Sequence, residues 1–220
     1  LLERSVHCSD QFNTVTRTND DLAAILYTSG TTGRSKGAML THGNLGSNAL
    51  VLNQFWGWKK GDVLLHALPI FHVHGLFVAA HGALINGSKM IWLPRLDTAQ
   101  LIKYLPCSTV MMGVPTFYVR LLMDQNFNKA VCKNMRLFVS GSAPLLTETF
   151  NNFQKLSGHT ILERYGMSET VMLVSNPYEG ARIGGSVGVV LPGVEVRVVN
   201  ESGQSCGPDE IGGIEVRGPN

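Results

Sequence analysis

The residues with the clearest potential for chemistry form a loop of small side chains around one lysine, Thr28-Ser29-Gly30-Thr31-Thr32-Gly33-Arg34-Ser35-Lys36-Gly37. Glycines let backbone N–H groups approach an anion closely, hydroxyls can donate to phosphate oxygens, and a lysine can neutralise their charge. The spacing differs from the Walker pattern GxxxxGK(S/T), because only two residues separate Gly30 from Gly33 and Gly37 follows Lys36. The loop therefore predicts a polyphosphate site of another kind.

A second group of chemically capable residues is Glu163-Arg164-Tyr165-Gly166-Met167-Ser168-Glu169-Thr170. An aromatic ring can stack on a purine, and a hydroxyl close to a carboxylate can hold a phosphate oxygen and a magnesium ion together. Taken alone, the same residues also fit a strand end with a capping serine. With the phosphate loop upstream, they predict the second half of a nucleotide site.

The elements that must position these residues alternate between strands and helices from residue 22 to 162, which is typical of a mostly parallel α/β sheet with flanking helices. We expect strands at 22–26, 62–68, 88–93, 109–112, 136–139 and 159–163, and helices at 41–58, 75–84, 98–105, 116–123 and 147–156. Parallel sheets bind ligands beyond the carboxyl ends of their strands. The Tyr165 motif and the turn Ser140-Gly141-Ser142-Ala143-Pro144 are predicted at that edge.

The chain divides into three predicted parts. Residues 1–19 are polar and fit an entering linker or edge segment, 20–183 form the α/β part that binds the nucleotide and the acyl group, and 184–220 begin a smaller β element with strands at 194–199 and 214–216. The chain starts without Met and ends just after a strand-like run, so we expect a fragment of a longer protein.

Charged residues make up 15% of the sequence, against roughly 25% in ordinary soluble domains. We therefore expect apolar faces that another segment covers.

Composition also narrows the classes of function. A net charge of +2 without any basic run disfavours nucleic acid as a partner, and no apolar run reaches membrane-spanning length. The four cysteines are widely scattered without the spacing of a zinc site, which favours reduced thiols. We expect a cytoplasmic protein, or a mitochondrial matrix protein if the source is eukaryotic.

The two motifs together resemble the adenylate-forming superfamily, whose signatures are Tyr-Thr-Ser-Gly-Thr-Thr-Gly-x-x-Lys-Gly and Tyr-Gly-x-Thr-Glu. The resemblance implies that the chain is part of the large N-terminal domain of such an enzyme and that ATP binds with Mg²⁺. It implies that Tyr165 faces adenine, Ser168 the α-phosphate, and Glu169 the metal with help from Thr28. Ser168 stands where the family usually has Thr and keeps the hydroxyl. The other residues implied to bind the nucleotide are Ser29, Gly30, Thr31, Thr32, Gly33, Lys36, Gly141, Ser142, Ala143, Pro144, Glu163, Arg164, Gly166 and Met167.

Within that superfamily, residues 21–188 are similar to malonyl-CoA synthetases. The similarity implies that Arg136 and Arg182 hold the distal carboxylate of malonate or methylmalonate, and that His72, His74 and Ser142 line the acyl pocket. The residues alone leave other interpretations open, since Arg182 also fits a solvated loop, Arg136 a capping or surface position, and the histidines a satisfied core.

The implied reaction joins the acid to AMP, releasing pyrophosphate, and then transfers the acyl group to CoA. Lys36, Ser168 and Glu169 are the predicted catalytic residues. The family's ribose-binding aspartate and the lysine of its C-terminal domain lie outside the sequence, so the fragment alone is expected to be a poor catalyst. Three alternatives stay open: an acyl-CoA synthetase for a monocarboxylic or fatty acid, an adenylation domain that loads a carrier protein, and a nucleotide-binding module without activity.

Overall fold

The computed structural model describes residues 8–9, 11–28 and 34–220. It begins with a hairpin of β1 (Leu22–Thr28) and β2 (Lys36–Thr41), which pair antiparallel as a separate two-stranded sheet. We expected the first strand, at 22–26, to belong to the mostly parallel sheet. That expectation is wrong, because the chain folds back into β2 before its first helix, and β1 leaves Tyr27 77% exposed.

A seven-stranded sheet forms the centre of the fold, in the order β4-β3-β5-β6-β7-β8-β9. The pairs from β4 to β7 are parallel, and β8 and β9 extend the sheet antiparallel. This confirms the predicted mostly parallel α/β sheet. The strands are β3 (Val63–His66), β4 (Lys89–Trp92), β5 (Val110–Gly113), β6 (Leu137–Ser140), β7 (Leu162–Tyr165), β8 (Val174–Ser175) and β9 (Val189–Val190). Sequence reasoning missed β8 and β9, which have two residues each.

Helices connect the parallel strands. They are α1 (His42–Phe55), a π-helix (His74–Ala80) continuing into α2 (His81–Ile85), α3 (Thr98–Tyr104) with a 3₁₀ turn (Leu105–Cys107), α4 (Pro115–Leu122) and α5 (Thr147–Ser157). Thr41 and Asn44 cap α1 reciprocally, since each side chain accepts a hydrogen bond from the other's backbone N–H. Among the described residues, no helix is both long and apolar enough to span a bilayer.

The core lies between the parallel strands and α4 and α5. Residues of β5 and β6 are fully buried, as expected for central parallel strands covered on both faces. The Phe153 ring of α5 is central, with centroids 4.9 Å from Phe138, 5.2 Å from Tyr118 and 5.4 Å from Phe127. Burying each such ring stabilises the fold by about 1.5–3 kcal/mol. These rings pack α4 and α5 against the central strands of the sheet.

Two antiparallel strands, β10 (Glu195–Val199) and β11 (Gly213–Arg217), form a final hairpin. These strands agree with the strands predicted at 194–199 and 214–216. The division of the chain into three parts remains a prediction.

A largely buried ion pair, with side chains 14% and 3% exposed, lies at the amino edge of the sheet. Arg136 immediately precedes β6, and its guanidinium binds both carboxylate oxygens of Asp62, which immediately precedes β3. The Thr109 hydroxyl and the Lys59 N–H also donate to this carboxylate, at 2.8 and 2.7 Å. Burial alone would raise the pKa of Asp62, but these hydrogen bonds and the charge of Arg136 outweigh it and hold the pKa below its ordinary value. The pair thus joins two strand starts at neutral pH.

We predict that Asp62→Asn in the intact protein lowers the free energy of unfolding by about 3 kcal/mol, because it leaves Arg136 buried without its anion. The stabilisation from a carboxylate with a lowered folded pKa is present at neutral pH and is lost as the pH falls through that pKa. Denaturant unfolding at several pH values measures both effects.

The matched control is Glu215→Gln, which removes the partner of Arg197 in a surface pair whose side chains are 61% and 50% exposed. This change should leave the unfolding midpoint unaltered. Equal midpoints for the Asp62→Asn variant and the unaltered protein at neutral pH would contradict the role given to the ion pair.

Candidate active site

The carboxyl ends of the parallel strands bring the predicted motifs together. β3 leads to Leu68, Pro69 and the π-helix, β6 leads to the turn at Gly141–Pro144, and β7 leads to Gly166–Glu169. Because adjacent parallel strands end at the same edge, segments far apart in sequence surround one cavity. Thr28, at the end of β1, borders the same cavity from the separate hairpin.

The larger cavity has a volume of about 510 Å³ and combines residues from both motifs. Its walls include Thr28, the exposed Glu169, the half-buried Ser168, and the acyl-pocket candidates His72 and Ser142. The remaining lining residues are Leu68, Pro69, Val73, His74, Gly75, Val114, Gly166 and Met167.

A second cavity of about 370 Å³ adjoins the first through shared walls at Ser142 and Gly166. Seven of its lining residues are ones that the resemblance implied for nucleotide binding, and three were missed by sequence reasoning. The lining residues are Ser142, Ala143, Pro144, Leu145, Glu163, Arg164, Tyr165, Gly166, Gly185 and Val187. The pair of cavities therefore offers a path from a nucleotide base to an acyl group.

The phosphate-loop residues lie only partly within the described structure. Lys36 begins β2 and lies opposite Thr28 across the hairpin, where the Thr28 hydroxyl donates to the Lys36 carbonyl at 3.5 Å. Lys36 is exposed. Ser29, Gly30, Thr31, Thr32 and Gly33 lie outside the described residues, so their predicted phosphate contacts remain predictions.

The most unusual charge at this edge is the guanidinium of Arg164 on β7. The residue is 2% exposed, yet its Nε and Nη2 have no hydrogen-bond partner among the described residues. The guanidinium lies directly beneath Gly141, where an added Cβ would come within 2.4 Å of Cζ. Burial lowers the pKa of Arg164 to about 10, with the nearby Tyr118 phenol opposing this shift slightly. The group is still cationic at neutral pH.

The neighbouring Glu163 fixes the turn that covers Arg164. Its Oε1 accepts a hydrogen bond from the Leu145 N–H at 2.9 Å, whereas Oε2 has no partner among the described residues. Burial raises the pKa of Glu163, and the Leu145 hydrogen bond lowers it less. The Glu163 carbonyl accepts from the Asn176 side-chain amide, at 2.9 Å. Backbone and side chain of Glu163 thus join two loops that border the site.

The histidines at the site differ sharply. His72 is exposed, and its ring lies 4.6 Å from that of Phe71. His74 is buried, with Nδ1 3.3 Å from the Ser142 hydroxyl. Sequence reasoning missed His66, which ends β3 and packs against the tilted ring of Trp92 with centroids 4.3 Å apart. Burial lowers its pKa to about 4, so His66 is neutral at physiological pH.

The structure places Arg136 and Arg182 away from the two cavities, and their predicted hold on the distal carboxylate stays a prediction. Arg136 lies at the amino edge of the sheet, bound to Asp62. Arg182 donates to the carbonyls of Pro177, Thr160 and Tyr178, at 3.0, 2.8 and 2.6 Å. Neither residue borders the two cavities. The arginines do converge, but on the Tyr178 ring, with Cζ atoms 5.1 and 5.9 Å from its centroid.

The donors at the cavity fit a magnesium ion that arrives with phosphate. Among the described residues, no group of three or more His, Cys, Asp or Glu side chains could hold a metal ion by itself. Mg²⁺ instead prefers one or two carboxylates together with substrate phosphates and water. Glu169 supplies one exposed carboxylate and Thr28 one hydroxyl at the same cavity.

Comparison with known proteins agrees with this geometry. Residues 3–220 match the family of AMP-binding enzymes. The mitochondrial malonate–CoA ligase ACSF3 of Mus musculus is 46% identical over 202 residues, which cover 84% of this chain and 35% of that protein. The chain therefore spans about a third of the length of the curated relatives it matches.

Solved structures are similar over the same region. ATP-bound MatB from Rhodopseudomonas palustris is 52% identical with a TM-score of 0.95, covering 100% of this chain and 44% of that one. A malonyl-CoA ligase product complex with methylmalonyl-CoA and AMP is 38% identical with a TM-score of 0.85, covering 92% of this chain and 45% of that one. The family match, the parallel sheet and the shared cavities at its carboxyl edge lead to one conclusion: this chain belongs to the adenylate-forming family of AMP-binding enzymes.

Proposed function

We propose that the intact protein is a malonate–CoA ligase that activates malonate, or methylmalonate, as an acyl-adenylate and transfers it to CoA. The names of the similar proteins from Mus musculus and Rhodopseudomonas palustris support this assignment. The observation in this chain that carries it is the buried cation of Arg164 in the wall of the second cavity, which adjoins the larger one, without a partner anion among the described residues.

In the first step, one carboxylate of malonate attacks the α-phosphorus of ATP, and pyrophosphate leaves. This reaction requires positioning and charge neutralisation more than a protein nucleophile. Lys36 and the loop 28–33 would hold the β- and γ-phosphates, Ser168 would donate to the α-phosphate, and Glu169 with Thr28 would hold Mg²⁺. Bound Mg²⁺ neutralises phosphate charge. Tyr165 would stack on adenine at the second cavity.

In the second step, the CoA thiolate attacks the acyl carbonyl of the adenylate, and AMP leaves with the bonding electrons of the broken acyl–phosphate bond. The expectation that the present fragment alone is a poor catalyst follows from the share of its relatives that it spans.

The buried charge of Arg164 favours an acid with a second carboxylate. A buried, unpaired guanidinium costs several kcal/mol, and a carboxylate would remove much of that cost by forming charge-assisted hydrogen bonds. A fatty-acid chain offers no such group. We assign to Arg164 the role that sequence reasoning gave to Arg136 and Arg182.

We further propose that a eukaryotic source places the protein in the mitochondrial matrix, since the names of the vertebrate relatives include that compartment. A cytoplasmic location is proposed for a bacterial source.

The direct test is pyrophosphate release by the intact protein with ATP, Mg²⁺ and CoA, comparing malonate, methylmalonate, acetate and a medium-chain fatty acid. We expect a clear preference for the two dicarboxylates.

The variants Lys36→Ala and Glu169→Ala should reduce kcat/KM for every acid, because Lys36 and Glu169 both act on the phosphates of ATP. Arg164→Met should lower the ratio of kcat/KM for malonate to that for acetate by roughly ten- to a hundred-fold, the value of one charge-assisted hydrogen bond.

Arg182→Met is the matched control, because Arg182 has the same charge but binds backbone carbonyls away from both cavities. It should leave the malonate-to-acetate ratio unchanged. If the intact protein preferred the fatty acid, the assignment to the adenylate-forming family would stand and malonate would be rejected as the substrate. If Arg182→Met altered the malonate-to-acetate ratio and Arg164→Met did not, the role of Arg164 in binding the second carboxylate would be rejected.

Gly141→Ala is expected to shift Arg164, because the new methyl group would meet the guanidinium at 2.4 Å. Such overpacking costs about 1–3 kcal/mol. We predict a lower malonate-to-acetate ratio, measured by pyrophosphate release. The control is Gly46→Ala in α1, where an added Cβ meets nothing within 4 Å. It should keep the ratio and raise stability by about 1 kcal/mol. An unchanged ratio in the Gly141→Ala variant would show that the position of Arg164 does not matter.

A further inference from the structure

The loop that carries Ser168 and Glu169 continues into a strained stretch of backbone. Val171, two residues after Glu169, has a φ of 56° and is 1% exposed. A positive φ is an outlier for a β-branched residue, because its Cβ crowds the following carbonyl oxygen. The loop is also tightly packed, since a Cβ added at Gly166 would lie 1.9 Å from the Val171 carbonyl oxygen. Such a conformation persists only where other contacts maintain it.

The side chain of Asn220, which lies beyond β11, supplies two of these contacts. Its Nδ2 donates to the carbonyls of Thr170 and Met172, at 2.6 and 2.9 Å. The two carbonyls flank Val171, so one amide group binds the backbone on both sides of the strained residue. The orientation of the amide follows from its partners, because only its NH₂ group can donate to carbonyl oxygens.

Two further residues support this arrangement. A Cβ added at Gly218 would lie 2.6 Å from Asn220 Oδ1, so the glycine leaves room for the Asn220 side chain to reach the loop. The buried Asn48 of α1 also donates to the Met172 carbonyl, at 2.8 Å. The backbone that follows Glu169 is therefore held both from α1 and from the segment after β11.

We propose that Asn220 is a positioning residue for the nucleotide site and acts through Glu169. By binding the carbonyls of Thr170 and Met172, it fixes the course of the loop and with it the position of the carboxylate that would hold Mg²⁺. Asn220 is not among the described residues that line the two cavities. The inference rests on the proposed function, and it makes the metal site depend on a residue 50 positions beyond Thr170 in the chain.

The first test measures binding instead of turnover. Isothermal titration calorimetry gives the dissociation constant of a non-hydrolysable ATP analogue for the intact protein, once with Mg²⁺ and once with EDTA. We expect Asn220→Ala to reduce the gain in affinity that Mg²⁺ provides by roughly ten-fold, because residues that orient a metal ligand affect metal binding on this scale. A residue that only stabilised the fold would leave this gain unchanged.

A double-mutant cycle tests whether Asn220 acts through Glu169. With malonate, Asn220→Ala should lower kcat/KM for pyrophosphate release by roughly ten-fold in the otherwise unaltered protein and have little effect in the Glu169→Ala protein. The malonate-to-acetate ratio should stay the same, because the acyl group is bound by other residues. Gly218→Ala keeps the Asn220 side chain but displaces it, and should therefore cause the same loss.

The matched control is Asn200→Ala. The Asn200 side chain accepts hydrogen bonds from the backbone N–H groups of Ser202 and Gln204, at 3.1 and 3.0 Å, in an exposed turn between β10 and β11. Removing it should leave both kcat/KM and the affinity gained with Mg²⁺ unchanged. Thermal unfolding reports whether each variant is folded at the assay temperature.

Two results would overturn the inference alone: an unchanged gain from Mg²⁺, or an equal loss of kcat/KM with and without the Glu169 side chain. If Asn220→Ala does not fold, Gly218→Ala decides by the same two criteria. If the intact protein releases no pyrophosphate with any acid, the proposed function is rejected together with the inference. If it prefers an acid other than malonate, only the substrate is rejected, because the cycle is then measured with that acid.

Discussion

The buried guanidinium of Arg164 is the constraint around which the carboxyl edge of the sheet is organised. A cation removed from water must find hydrogen-bond acceptors or an anion, and among the described residues Nε and Nη2 of Arg164 have neither. Gly141 leaves room for the group, because any larger residue would displace it. Glu163 holds the overlying turn through the Leu145 N–H. The fold therefore keeps the charge in place, and under the proposed function a ligand supplies its partner.

The two edges of the sheet use their polar groups differently. At the amino edge, Arg136, Asp62 and Thr109 bind one another, and the guanidinium of Arg182 is held by backbone carbonyls. At the carboxyl edge, buried atoms without partners among the described residues include Ser140 Oγ, Glu163 Oε2 and His74 Nε2, besides Arg164. Satisfied groups stabilise the structure, whereas unsatisfied groups beside a cavity are available to bind a substrate. Under the proposed function, the unpaired atoms beside the cavities are the ones available to the substrate.

The sequence predicted correctly those features of the fold that depend on the local spacing of residues. The Tyr165–Glu169 motif and the strand–helix alternation predicted the parallel sheet and the residues at its carboxyl edge, because strand ends place such motifs regardless of distant contacts. The partners of Arg136 and Arg182 could not be predicted in this way. Arg136 precedes its strand and therefore lies at the amino edge, and its partner Asp62 is 74 residues away in the chain. Arg164 was counted among the nucleotide residues, since only the structure reveals that its charge is buried without an anion. The exposed position of β1 likewise depends on its pairing with β2, which local periodicity does not encode.

The most direct measurement is a crystal structure of the intact protein with malonate and a non-hydrolysable ATP analogue. The account predicts that one carboxylate faces the α-phosphate and that the other lies within about 3 Å of the Arg164 guanidinium, the distance of a charge-assisted hydrogen bond. Arg136 should remain bound to Asp62, and Arg182 to its carbonyls. A second carboxylate bound elsewhere, with Arg164 still unpaired, would contradict the central claim.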